Sequence, residues 1–293
     1  MLIVTGATGR LGSLVVDRLL ERVPAEKVGV SVRDPGKASA LAARGVRVRA
    51  GDFTDPASLQ HAFEGADRVL VVSAAIRGGG ALVANCAAID AAQRAGAHHI
   101  VYTSHQAASP ISLFPPQTVH AATEEHLKQT GVPFTALRNG FYTSTLAHHI
   151  GSALTTGDLA VPQDGPVSWT AHEDLAEAAA IALADGTLTG ITPPLTAPSA
   201  LDFADVADIL SKLTGRTITR TVADDEEWKA GLIAGGLPPQ AAEFAFGMFA
   251  AARQGEFTVT GPTLETVIDH PARTVESVLR ALVDHHGSRG ERP

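Results

Sequence analysis

A single cysteine, Cys86, occurs in 293 residues, so the chain can close no intramolecular disulfide and offers no thiolate metal cluster. It lies in an alanine-rich helical stretch and reads as a small core residue. Aromatic side chains make up only 5% of the chain, with two tyrosines and two tryptophans. Few rings are therefore on hand as pocket walls or phenolic acids. Positive charge is short as well: Lys and Arg number 23 against 31 acids, a formal net charge of −8. That balance argues against a nucleic-acid surface. No apolar run reaches the ~18 residues of a membrane span, and an apolar strand starts directly after Met1, which leaves no room for a secretory leader. A cytoplasmic protein without nucleic-acid or membrane partners is expected.

What is present begins at the first turn. Leu2-Ile3-Val4 breaks into Gly6-x-x-Gly9-x-x-Gly12, and Leu11, Leu14, Val15 and Leu19 then recur at helical spacing. Strand, glycine turn, helix is the context in which such a motif is informative. Glycine removes Cβ where the chain turns tightly and where backbone must approach a pyrophosphate, and the helix N-terminus holds the anion. Dinucleotide binding is expected, against the plainer reading of a structural tight turn.

Strands and helices then alternate. Val28 to Val32, Val46 to Val48, Val69 to Val72, Ile100 to Thr103 and Pro133 to Leu137 read as further strands. Asp34-Pro35 and Asp55-Pro56 are N-cap and first-turn pairs, and helices from about Ala81 to Ala95 and Thr118 to Gln129 end at Gly96 and Gly131. Six such units with short connections predict an α/β fold, a Rossmann-type doubly wound parallel sheet. After Asn139 the pattern becomes irregular. Thr170-Ala171-His172-Glu173 reads as a capping box before Leu175 to Leu183, and helices are expected at Phe203 to Leu213 and Pro239 to Arg253, with a strand at Thr217 to Val222. The expected division is a dinucleotide-binding domain over 1–140, with 165–185 returning to it, and a smaller, mostly helical C-terminal lobe over 141–293. Residues 285–293 read as a frayed tail.

The end of the second strand bears on which dinucleotide binds. A carboxylate there would favour NAD, whereas this chain has Ser31-Val32-Arg33. Arg33 can pair with a 2′-phosphate and stack on adenine, and Arg10 and Lys37 add positive charge. The alternative is ordinary surface basics. Asp52-Phe53 can meet adenine through an acid–amine bond and an apolar edge, or Asp52 can simply cap a helix.

TGATGRLG, SVRDPGKA, AGDFTDPASL, HHIVYTS, VHAATEEHL and LRNGFYT stand in the order and spacing of the NmrA-like, atypical short-chain dehydrogenases, which the chain resembles along nearly its whole length. The resemblance is greatest to the type-2 NAD(P)H:quinone oxidoreductases and the triphenylmethane reductases. It implies a two-lobed fold, NADP(H) on the N-terminal sheet, and hydride transfer to an apolar aromatic acceptor in the cleft. By match to the motifs it implies cofactor contacts at Gly6, Thr8, Gly9, Arg10, Leu11, Gly12, Arg33, Asp52, Phe53, Ser73, Thr103, Asn139, Gly140, Phe141, Tyr142 and Thr143.

The Tyr-x-x-x-Lys pair of ordinary short-chain dehydrogenases, in which lysine lowers the tyrosine pKa for proton donation, is missing. Tyr102 is followed by Gln106 and Tyr142 by Leu146. The corresponding helix carries His120-x-x-x-Glu124, and residues four apart share a helix face. His120, Glu124 and Tyr142 are therefore the candidate catalytic residues, although His120 can equally serve a structural hydrogen bond. The histidine doublets do not suggest metal: adjacent residues in a strand, as at His98-His99, face opposite ways. No metal site is expected. Phe141, Phe244 and Met248 are candidate walls of an apolar substrate pocket, with core packing as the plainer reading.

Two functions remain open. One is an NADPH-dependent reductase of quinones or similar conjugated acceptors, which need hydride and little enzyme-donated protonation. The other is a non-catalytic NADP(H)-binding redox sensor of the NmrA type; a reductase of a specialised carbonyl or imine is a third possibility. A small aromatic substrate and a monomer or homodimer are expected.

Overall fold

The computed structural model describes residues 1–76 and 80–290. The first half alternates strand and helix: β1 (Leu2–Thr5), α1 (Arg10–Leu20), β2 (Val28–Val32), α2 (Ser39–Ala43), β3 (Arg47–Ala50), α3 (Pro56–Phe63), β4 (Arg68–Val71), α4 (Gly80–Arg94), β5 (His99–His105), α5 (Pro115–Gln129) and β6 (Phe134–Asn139). The second half is less regular: β7 (Phe141–Tyr142), α6 (Ala147–Thr156), β8 (Asp158–Pro162), β9 (Trp169–Thr170), α7 (His172–Asp185), β10 (Gly190–Ile191), α8 (Phe203–Thr214), β11 (Thr219–Ala223), α9 (Asp225–Ala234), α10 (Pro239–Arg253), α11 (Thr263–Ile268) and α12 (Val275–Gly290).

Seven strands form one parallel sheet in the order β10-β6-β5-β4-β1-β2-β3. The chain order reverses between β1 and β4, so the crevice beyond the C-terminal ends of those strands is where a doubly wound sheet binds ligands. β1 and β2 are buried along their whole length, which is why they read as unbroken apolar runs. On one face of the sheet, Leu11, Val15 and Leu19 of α1 share a core with Leu175, Ala179 and Leu183 of α7. On the other, Leu59 and Phe63 of α3 pack with Ile89 of α4 and Leu127 of α5. A third core around Trp169, Phe203, Phe249 and Phe257 belongs to the later elements.

Local sequence explains several boundaries. Asp34 and Asp55 accept backbone N–H bonds from Gly36 and from Ala57 and Ser58, with proline in the first turn, caps worth ~1 kcal/mol each. Other expectations need correction. The capping box at 170–173 does not form: Ala171 is the N-cap of α7 without a side-chain bond, because the Thr170 hydroxyl donates to the Ser168 carbonyl and accepts from the Ala197 amide. A seventh sheet strand, β10, was not foreseen, since two residues carry no period. α6, β8 and α9 were also missed. α12 runs to Gly290 and is anchored at its start by buried Val275 and Leu279; of the stretch 285–293 expected to fray, residues 291–293 lie outside the described residues. Cys86 is half-buried rather than a core residue.

Candidate active site

At the head of the crevice Gly6 takes φ +61°, a left-handed conformation that only glycine adopts without strain, and its carbonyl accepts the Gly9 amide at 2.9 Å. A Cβ on Gly12 would stand 2.3 Å from the Gly6 carbonyl oxygen, so loop and helix meet too closely for any side chain. Gly9 is the N-cap of α1 and offers no side-chain acceptor, which leaves first-turn N–H groups available to an anion. Thr8 and Arg10 are exposed beside the loop. The Leu11 side chain is buried in the core, so its backbone alone can serve a ligand.

Beyond β2, Arg33 is exposed. The Asp52 carboxyl is held below its usual pKa mainly by the Thr54 backbone and hydroxyl, and to a lesser degree by the Arg33 charge. Its Oδ1 accepts from Thr54 N and Oγ1, each at 2.8 Å. That oxygen is thus occupied in its own turn, while the cap of α3 is Asp55 and not Asp52. Phe53 is half-buried against the core beneath the sheet. Arg33 is left facing solvent at the end of β2, and a guanidinium there suits a phosphate.

At the other side of the crevice, the Ser73 amide donates to the Thr103 hydroxyl at 2.8 Å and the Val72 amide to Thr5 at 2.9 Å. Thr103 therefore ties strand ends together. The Asn139 side chain is 1% exposed, and neither Oδ1 nor Nδ2 has a hydrogen-bond partner in the protein. It sits close enough to the Tyr142 hydroxyl to temper the rise in pKa that burial causes there, yet outside hydrogen-bond geometry. An orphaned buried amide at a strand end is a fitting partner for ligand hydroxyl or amide groups. A Cβ on Gly140 would meet Thr170 Oγ1 at 2.1 Å, and Phe141 and Thr143 are buried beside it. Tyr142 lies against His172 with ring centroids 4.1 Å apart. Burial, then the nearby Arg10 charge, lowers the His172 pKa to about 4. The loop, Arg33 and the Asn139 amide together fit a dinucleotide.

Adjoining the crevice is a cavity of about 750 Å³, lined by Ser73, Ala74 and Ile76 after β4, by Leu82 and Asn85 of α4, by Pro115, Val119 and His120 of α5, and by Phe244 of α10. Phe114 links Phe244 (5.3 Å) to Phe141 (5.8 Å), so Phe141 stands behind the described lining rather than in it. Met248 is 5% exposed within the third core and is not a lining residue; only one side of α10 reaches the cavity.

His120 and Glu124 do not form a couple. Glu124 accepts from Ser104 Oγ at 2.6 Å and is gripped by Arg138 through Nε (3.0 Å) and Nη2 (2.7 Å). His120 Nδ1 instead meets the Tyr102 hydroxyl at 2.8 Å. Burial lowers the His120 pKa to about 4 and that of His105, which stacks on it at 6.1 Å, well below the usual value. Both rings are neutral near pH 7. Asn85 on the cavity wall and His172 against Tyr142 were not among the expected site residues, although a polar Asn within the alanine-rich run of α4 is a usable signal. The rings of the His98-His99 doublet part company: His98 pairs with Asp67 at 2.9 Å on the surface, and buried His99 bonds Thr135 at 2.8 Å.

The NmrA-like family model matches residues 1–279. The chain belongs to the NmrA-like family. It is 34% identical to Quinone oxidoreductase 2 of Escherichia coli over 95% of this chain and 97% of that one. The structure of the NADPH-dependent quinone oxidoreductase QOR2 of Escherichia coli complexed with NADPH superposes with TM-score 0.90 at 32% identity, covering 97% of this chain and 99% of the other. The Citrobacter sp. triphenylmethane reductase complexed with NADP(H) gives TM-score 0.89 at 34% identity, over 95% and 99%.

Proposed function

We propose that this member of the NmrA-like family is an NADPH-dependent oxidoreductase that reduces quinones or similar conjugated apolar acceptors. The observation that carries the reading is an apolar cavity opening beside the glycine-loop crevice, with a neutral histidine on its wall and no Tyr-x-x-x-Lys pair. Residues 1–140, joined by 165–185, would hold the dinucleotide: the glycine loop its pyrophosphate, Arg33 its 2′-phosphate, and Asn139 to Thr143 its nicotinamide half. Residues 141–293 would cover the acceptor. When bound, the reduced dinucleotide supplies hydride. The chain's own part is to exclude water with Ile76, Leu82, Val119 and Phe244 and to hold a flat acceptor at reacting distance. The same reading has the protein working in the cytoplasm as a monomer or homodimer on a small aromatic substrate, with no nucleic-acid or membrane partner. Family relatives named as quinone and dye reductases support it.

The test is spectrophotometric NADPH consumption with a panel of quinones, cationic dyes and simple ketones. Turnover with the first two and none with ketones is expected. Tight NADPH binding with no turnover on any acceptor overturns the reading in favour of a sensor.

A further inference from the structure

Four groups from separate elements form a hydrogen-bonded line that ends on the cavity wall. The Ala74 amide donates to Asn85 Oδ1 at 2.8 Å. A backbone N–H can only donate, so this contact fixes the orientation of the Asn85 amide and turns its Nδ2 inward. Asn85 Nδ2 donates to the Tyr102 hydroxyl oxygen at 3.2 Å. The phenol proton then needs an acceptor, and His120 Nδ1 lies 2.8 Å away. The neighbouring Thr123 hydroxyl directs its own proton to the Val119 carbonyl at 2.8 Å and its oxygen accepts from Asn85 Nδ2 at 3.5 Å, which leaves His120 Nδ1 as the partner in line with the phenol. With Nδ1 accepting, a neutral imidazole carries its proton on Nε2.

We propose that Tyr102 and Asn85 are positioning residues that hold His120 as the Nε2–H tautomer, presenting a fixed hydrogen-bond donor to an acceptor's carbonyl oxygen in the cavity. This rests on the reductase reading above. A quinone that takes up hydride from the reduced dinucleotide gains two electrons and one hydrogen, which leaves negative charge on its second oxygen. Nε2–H stabilises that charge as it develops, in the manner of an oxyanion hole, and keeps its proton. A solvent proton then completes the hydroquinone. Proton transfer from His120 itself would leave an imidazolate, or a phenolate at Tyr102 if the whole line shifted. Burial raises the Tyr102 pKa above its ordinary range and so opposes the second course. The line is a dipole, not a wire. An acceptor that starts as a cation, such as a triarylmethyl dye, becomes neutral on taking hydride and makes no demand on the donor.

Long-range nitrogen–proton NMR of the ¹⁵N-labelled parent protein at neutral pH reads the tautomer directly, without substrate. The proton of His120 is expected on Nε2; a proton on Nδ1 overturns the proposal. Steady-state kinetics of Tyr102→Phe with a quinone and with a triarylmethyl cation reads the consequence. The ratio of quinone to cation turnover is expected to fall ~10-fold, the worth of one well-placed hydrogen bond, with the Michaelis constants little changed. An equal fall on both acceptors, or none on either, overturns the role of Tyr102. Failure of the parent to reduce either acceptor defeats the reductase reading alone. The tautomer measurement then decides the present proposal, as it does where Tyr102→Phe does not fold.

Discussion

The two ends of the crevice are built on different terms. At the glycine loop the backbone makes the site: Gly6 turns left-handed, Gly12 lies against the Gly6 carbonyl, and the start of α1 offers bare N–H groups. At the cavity the side chains make it, drawn from four elements: Asn85 from α4, Tyr102 from β5, His120 from α5 and Phe244 from α10. A backbone site is confined to a few consecutive residues and leaves a compact motif. A side-chain site is spread over the chain and is assembled only when the sheet and its helices pack.

That contrast is open to breakage, most severely at the loop. Gly12→Ala places a methyl group inside contact distance of the Gly6 carbonyl and forces the loop away from α1. Loss of two charge-assisted N–H contacts to phosphate, at ~1.5–3 kcal/mol each, weakens dinucleotide binding by more than ~100-fold, measured by calorimetry. At Gly9 a Cβ meets the Gly6 oxygen at 3.2 Å, so Gly9→Val should lose binding with a smaller loss of thermal stability. Near-parent NADPH affinity in both variants would refute the backbone account.

At the cavity end, Glu124→Gln keeps the shape and removes the charge that Arg138 and Ser104 hold. Breaking a buried pair costs ~3–5 kcal/mol, and the lower figure is expected because Arg138 is 28% exposed. Denaturant unfolding checks it. A shift under ~0.5 kcal/mol, the range of an ordinary surface substitution, would mean the pair does not anchor α5 to β6.

Arg33→Ala sharpens the comparison, since the role proposed for Arg33 at the loop end is carried by a side chain. A pairing of its guanidinium with a 2′-phosphate would be worth ~1.5–3 kcal/mol, roughly 10- to 100-fold in affinity. NADPH binding should fall by that factor and NADH binding hardly change. Equal affinity of the parent for both cofactors would remove the 2′-phosphate role from Arg33, and a preference for NADPH that survives Arg33→Ala would place the selectivity elsewhere.

The mildest effect is on pH dependence. His120, His149 and His172 have pKa values lowered to about 4 by burial, and burial also holds His105 well below the usual histidine value. The unfolded chain takes up these protons near 6.5 and the folded chain only near 4. Stability should therefore be flat above pH ~7 and decline as pH drops from ~6.5 towards 4. Turnover should hold level over the same window, because His120 stays neutral; Tyr102 and His105 face it from β5, and Glu124, one turn along α5, is neutralised by Arg138. Thermal melts and kinetics at matched pH check both halves. A turnover step near pH 6.5 would show that His120 titrates exposed to solvent.

Strand-and-helix alternation, the glycine loop and the Asp-Pro caps could all be read along the chain, because each is a local pattern with a local cause: period, missing Cβ, fixed φ. The second half resisted. β10 is too short to show a period, and Thr170 formed no capping box because the residues it serves, Ser168 and Ala197, include one from a distant stretch. The family resemblance pointed to the family and its chemistry, and the match over residues 1–279 agrees with it.

His120 and Glu124 mark the limit. Helical spacing put them on one face, yet spacing along a helix cannot say what stands opposite that face. Packing against β5 and β6 gave His120 to Tyr102 and Glu124 to Ser104 and Arg138, and set Met248 in the core while Phe244, four residues earlier, reached the cavity. The residue types were present in the order of the chain. Their partners were chosen by which strands and helices came to lie side by side, since a hydrogen bond of about 3 Å is settled by through-space approach and not by separation in sequence.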